Sequence, residues 1–192
     1  TIDTAPRIIE SSLLPGDLVP AGVMVYRAKF DQAMSVSSID ASGIVLTGMS
    51  TGTHSPSRVQ YDPATSTLVV TFGLLPIDVY QLRLRSGPSR FTDHSGLALD
   101  GEIVESTMVP TGDGVVGGDL VLDFATTLPT QHVQGARDKV VIVAGQSFDL
   151  PVVYDVSDRN TSLSGLGLRM HFDSSVIALQ SVTDVYQSAL LS

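Results

Sequence analysis

Cysteine and tryptophan are both absent from the 192 residues. Without cysteine there is neither a disulfide scaffold nor a thiolate metal site. Without tryptophan, and with only 5 Tyr and 6 Phe, the chain is poorly supplied for stacking sugars. Basic residues are scarce, 11 against 20 acidic ones, for a formal net charge of −9. That charge opposes a phosphate backbone, so nucleic-acid binding is not expected. No polybasic segment is present to hold an anionic membrane. Charged residues of both signs make up only 16% of the chain, against about 25% in an average soluble domain. No run of about 18 apolar residues occurs, so no membrane-inserted helix is expected. Thr1-Ile2-Asp3 lacks the basic and apolar regions of a signal peptide, so an exported form has had its signal removed or carries it in a longer precursor. No window sustains the i, i+3, i+4, i+7 spacing of an amphipathic helix. The best short helices are one turn at 31–34 and a second at 186–191.

Hydrophobic residues are plentiful, at 43%, with 17 Gly and 10 Pro, enough to bury a core between punctuating turns. Period-2 patterning dominates. Tyr80-Gln81-Leu82-Arg83-Leu84-Arg85 alternates cleanly, with an apolar face and a cationic face for water. Val23-Met24-Val25-Tyr26-Arg27-Ala28-Lys29-Phe30 and Thr67-Leu68-Val69-Val70-Thr71-Phe72 are further strands, as are 44–47, 120–124, 140–143, 148–154, 166–172 and 177–182. Pro15-Gly16-Asp17, Asp62-Pro63-Ala64-Thr65, Ser86-Gly87-Pro88-Ser89 and Gly112-Asp113-Gly114 separate them with turn chemistry. Strands at this spacing predict an all-β chain built of β-sandwiches. Composition divides it into a sandwich at 1–105, a Gly-rich linker with a short strand at 106–137, and a further β region at 138–192.

Several motifs of the first region match those of a known family. Ala5-Pro6-Arg7-Ile8-Ile9 with Pro15-Gly16 looks like an opening strand and turn. Phe30-Asp31-Gln32-Ala33-Met34 is similar to "F-[ST]-x-P-[MV]", with Ala33 in place of proline. Tyr61-Asp62-Pro63-Ala64-Thr65-Ser66-Thr67-Leu68 is similar to the hairpin "Y-[DN]-x-x-T-x-T-L". Phe91 to Glu102 is similar to a closing "D-x-x-G-N-x-L-x-G", with Leu97 in place of asparagine. Residues 5–105 thus resemble a bacterial Ig-like domain of large repeat-rich surface and secreted proteins. The resemblance implies a spacer or adhesive module without catalytic residues. In the last region, Val143-Ala144-Gly145-Gln146-Ser147-Phe148-Asp149-Leu150-Pro151-Val152 looks like "x-x-G-x-x-V-x-V-P-V". The stretch from Leu163 to Ile177 is similar to "I-S-G-x-x-F-x-L-x-Y-D-P-S-V-L", with Phe172 and Ser174 replacing Tyr and Pro. Residues 138–192 therefore resemble the first part of a cohesin-like, jelly-roll type domain. Such a domain needs roughly twice this length. An unfinished sandwich has open strand edges that recruit partners, so completion by another chain, a homo-oligomer or a filament through 138–192 is one expectation. A cut or cleaved precursor is another.

The chemistry-bearing residues are mostly acidic. Asp93, Ser95, Asp100 and Glu102 lie in a glycine-containing loop, and closely spaced carboxylates there suit Ca²⁺. The alternative is that they cap the loop by bonding nearby backbone. Asp155, Asp158 and Asn160 form a second such cluster, and Asp113 and Asp119 flank the Gly-rich segment. None matches an EF-hand loop. His54, His94, His132 and His171 include no H-x₃-H or H-E-x-x-H pair, which argues against a zinc enzyme. No G-x-S-x-G elbow occurs. Gly112 to Gly117 fits the letters G-x-G-x-x-G but lies in no βαβ unit. Asn160-Thr161-Ser162 is an acceptor-type tripeptide for N-glycosylation. The expected function is a non-catalytic structural or adhesive module of a secreted or cell-surface protein, in contact with other protein chains or further domains of its own polypeptide. The alternatives are a filament subunit and an accessory region of a secreted polysaccharide-degrading enzyme.

Overall fold

Alternation of side chains decides which residues face inward. The structure is a computed structural model that describes residues 4–104, 108–135, 141–160 and 171–182. One sheet has four strands in the order β1 (Ile8–Ser11), β3 (Gly22–Phe30), β7 (Thr67–Leu75) and β6 (Pro56–Asp62), all antiparallel. A second has five, in the order β2 (Leu18–Pro20), β9 (Leu120–Thr127), β8 (Val79–Leu84), β4 (Ile44–Gly48) and β5 (Gly52–His54). Tyr26, Ala28 and Phe30 of β3 are buried with Leu68, Val70 and Phe72 of β7. They share one core with Ile44, Leu46, Tyr80, Leu82, Leu84, Leu120, Leu122 and Phe124 of the second sheet. The inward residues of both sheets thus form a single apolar layer, which is the β-sandwich the periodicity predicts. Within it the rings of Tyr80 and Phe124 stack with centroids 5.4 Å apart. Each fully buried side chain of this size stabilises by roughly 1.5–3 kcal/mol.

Three expectations change. Residues 106–137 were expected as a linker with a short strand, yet β9 lies inside the second sheet, antiparallel to β8 and parallel to β2. Met108 is buried in the same core, and the backbone of Thr111 donates to the carbonyl of Ile8. The glycines that mark the expected boundary serve conformation: Gly112, Gly114, Gly117 and Gly118 all have positive φ, which side chains resist. The turn of helix expected at 31–34 is also replaced. Met34 forms an isolated antiparallel bridge with Asp93, and its N–H donates to the Tyr61 hydroxyl. Single 3₁₀ turns occur slightly later, at Val36–Ser38 and Ala41–Gly43. The expected strands at 140–143 and 177–182 are not strands at their described residues, and that at 148–154 is shorter and displaced towards the C-terminus as β11 (Val152–Val156). The strand expected at 166–172 lies mostly outside the described residues, and the helix at 186–191 wholly so.

The chain divides into two compact units, 1–159 and 160–192. After the sandwich, the first unit contains a two-stranded antiparallel sheet of β10 (Gln131–Gly135) and β11. Ser157, just beyond β11, donates its hydroxyl to the carbonyl of Ala21 and accepts from the N–H of Thr130. Gly22 meets Ser157 so closely that a Cβ there would overlap the Ser157 carbonyl, and its φ is +138°. In the second unit, the described turn after His171 is organised by Asp173, whose carboxylate accepts from the N–H and the hydroxyl of Ser175.

Candidate functional site

The carboxylates that converge most closely in the described residues are those of Asp100, Glu102 and Asp113, with oxygens all within 4.8 Å of one another. Two loops build the cluster. The first, after the Leu99–Phe91 backbone bond, is anchored where the Asp100 N–H donates to the carbonyl of Pro6. The second folds back over it. The N–H of Gly112 donates to the Glu102 carbonyl at 2.8 Å, and the N–H of Gly101 donates to the Gly118 carbonyl at 3.0 Å. Asp100 is 1% exposed. Its carboxylate accepts the N–H groups of Asp113 at 3.0 Å and Gly114 at 2.9 Å, so its burial is compensated. Gly112 and Gly118 make the close approach feasible, since a Cβ on either would overlap the carboxyl of Asp100 or Glu102 respectively.

Glu102 is the strained member. Its Oε2 is buried and has no hydrogen-bond partner among the described residues. Burial first, then the neighbouring charges of Asp100 and Asp113, push its carboxyl above the usual range. No ion pair among the described residues involves these three side chains. A hard divalent cation is what such an all-oxygen cluster suits. Ligands on opposite sides of Ca²⁺, each about 2.4 Å away, are about 4.8 Å apart.

The other acidic residues singled out in the sequence are placed differently. Asp93 is 5% exposed and does not join Asp100 and Glu102 in this cluster. Its Oδ1 accepts the N–H groups of Ser95 and Leu97, and its Oδ2 accepts the Gln32 amide at 3.1 Å. That is the loop-capping arrangement, with Ser95 contributing backbone. Asp119 accepts the N–H of Ser86 and pairs with Arg83 at 3.6 Å. Asp155 lies in β11 opposite His132 of β10, Asp158 follows that strand, and Asn160 belongs to the second unit.

A polar network that the sequence motifs above do not include lies at the other end of the sandwich. Asp78 accepts from the N–H groups of Ser50, Thr51 and Val79 and from the Thr51 hydroxyl, which also contacts His54 Nε2 at 2.8 Å. The hydroxyl sits between His54 and Asp78 and donates to the carboxylate. A nucleophile–base–acid relay needs the imidazole in the middle, so this arrangement holds a turn. Burial acts to raise the Asp78 carboxyl, but the bonds from Thr51, Ser50 and Val79 outweigh it and hold its pKa at about 2. Asp78 beside Ile77, after Pro76, is the turn chemistry that would have flagged it.

No protein-family profile matches the chain. No curated protein matches it either. Two solved structures are similar over 70% of its length. One is the S-layer protein rSbsC(31-844), with 13% identity, a TM-score of 0.39 and 16% of that chain covered. The other is the N-terminal part of the bacterial S-layer protein SbsC, with 11% identity, a TM-score of 0.37 and 27% of that chain covered. The chain thus spans under a third of either, and likeness at this level decides nothing about what it does.

Proposed function

We propose that the chain is a non-catalytic structural module of a secreted or cell-surface protein, related to the Ig-like and cohesin-like domains its motifs resemble. It acts as a spacer or in protein–protein assembly. The observation that carries this reading is how the acidic side chains are used. Asp17, Asp40, Asp62, Asp78 and Asp93 each accept backbone N–H groups of turns, which fixes loops rather than supplying free acids and bases to a cleft. An acidic, cysteine-free surface with a low density of cations suits a chain that stays soluble outside the cell. The test is location and assembly. Protease treatment of intact source cells should remove the protein, and sedimentation of the purified chain should show concentration-dependent association. Retention inside protected cells would overturn the surface role, and a strict monomer at millimolar concentration would overturn assembly.

A second element of the proposal is a Ca²⁺ ion held by Asp100, Glu102 and Asp113, favoured by the buried Glu102 Oε2, which has no partner among the described residues. Millimolar calcium should raise the melting temperature, and above the Kd the rise should continue with the logarithm of the calcium concentration. An unchanged melting curve would rule the ion out at useful affinity.

A further inference from the structure

We infer that β6 is a self-pairing edge, on which β6 of a second copy of the chain docks antiparallel with Gln60 opposite Gln60. This deepens the assembly reading above, on which it rests. Among the described residues β6 has a single neighbour, β7, so its other side presents backbone N–H and C=O groups without ladder partners there. The remaining sandwich edges are poorer templates. β2 and β5 have three residues each, β2 ends in Pro20, and β1 has four residues with a register shift. β6 has seven, and its own irregularity is confined to the step between Pro56 and Arg58.

The sequence of this edge is self-complementary on both faces. Arg58, Gln60 and Asp62 are exposed on the outer face, while Val59 and Tyr61 are partly buried against the core. Pairing about a twofold axis at Gln60 sets Arg58 against Asp62 of the second copy on the outside. It sets Val59 against Tyr61 of the second copy on the inside, and each contact occurs twice. Opposite charges and aromatic–β-branched neighbours are both favourable cross-strand pairs. A one-residue slip would turn the half-buried face to water. The two neighbouring registers that keep the faces do worse. Centring on Val59 puts Pro56 against Asp62, and centring on Tyr61 puts Pro63 against Val59; neither matches the charges.

Both charges are available for this. Arg58 has no ion pair among the described residues. Asp62 is held ionised by bonds from Thr65 and Ala64 in its turn. In a chain of net charge −9, this edge carries one charge of each sign, so two copies meet here without local repulsion. Five residue pairs make a small contact beside the ~1,600 Å² of a standard interface. Free chains therefore pair weakly, and a covalent trap is the suitable readout.

The chain has no cysteine, so an introduced thiol reports only its own surroundings. Gln60→Cys in the full chain should form disulfide-linked dimers about tenfold faster under mild oxidation than Thr53→Cys, which lies exposed on β5. Adding Arg58→Glu to Gln60→Cys opposes two negative charges twice. It should slow cross-linking about fivefold at low ionic strength, with the difference shrinking as salt is added. Equal rates for Gln60→Cys and Thr53→Cys, or no effect of Arg58→Glu, would overturn the proposal. If the unmodified chain then still self-associates in sedimentation, this edge alone is refuted and the assembly reading stands. If it does not associate, both fall.

Discussion

At Glu102 three carboxylates crowd together and one oxygen is buried without a partner among the described residues. Glu102→Gln removes a like charge and supplies an amide donor to its neighbours. In chelator-treated buffer it should raise the melting temperature by roughly 2–4 °C, about what relieving one unsatisfied buried group is worth in a chain of this size. The same variant should lose any response to calcium, so one pair of melting curves tests both the strain and the ion. Asp78 shows the opposite electrostatics. Its folded pKa, about 2, lies below the ~3.9 of an unfolded aspartate. Its contribution is therefore present above pH ~4 and disappears as pH falls towards 2. Asp78→Asn should melt lower than the parent at pH 7, and the gap should close on acidification over that window; a gap independent of pH would contradict it. Capping of this kind was partly legible in the sequence. Asp62-Pro63-Ala64-Thr65 reads as a tight corner, and Asp62 does accept the Ala64 N–H and the Thr65 hydroxyl. The partnership of Asp100 with Asp113 was not legible, because it depends on a second loop folding back over the first.

The elements were legible wherever alternation was strong. β3, β7 and β8 fall where period 2 places them, since each has one face in the core. β9 lies where a strand is expected, but in a stretch that glycine density assigns to a linker, whereas those glycines encode positive-φ turns around buried carboxylates. The helical turn expected at 31–34 failed for a tertiary reason, as Met34 bonds Tyr61 and bridges Asp93 instead. The placement of β9 has a direct consequence for stability. Leu120, Leu122 and Phe124 are each at most 2% exposed, and each contributes roughly 1.5–3 kcal/mol towards a net stability of about 5–15 kcal/mol. A chain ending at residue 105 should fail to give a cooperative melt, whereas one ending at residue 135 should fold. Circular dichroism of the two fragments tells them apart.

For the whole molecule, the fold class was legible and the division of the chain was less so. The sandwich draws on residues well beyond 105, and β10 pairs with β11 across the boundary expected at 137. Composition marks where glycine is dense, but sheet membership is decided by long-range pairing that no local signal contains. Most of the apolar side chains described at 141–153 are exposed, among them Val141 and Val143. The acidic surface and the scarcity of cations favour contacts that are local and specific in sign, which is the setting in which one Arg–Asp pair at an edge can select a partner.

The parallel pairing of β2 with β9 bears on how the chain would carry a mechanical load. Tension drawing residues before β2 one way and residues after β9 the other slides these two strands lengthwise. Their hydrogen bonds are then stressed together in shear, whereas an antiparallel terminal pair would unzip bond by bond. Stretched between two anchor points, the sandwich should yield in one abrupt rupture, which single-molecule pulling would record as a sharp force peak. Replacing Val19 of β2 with proline should lower that peak.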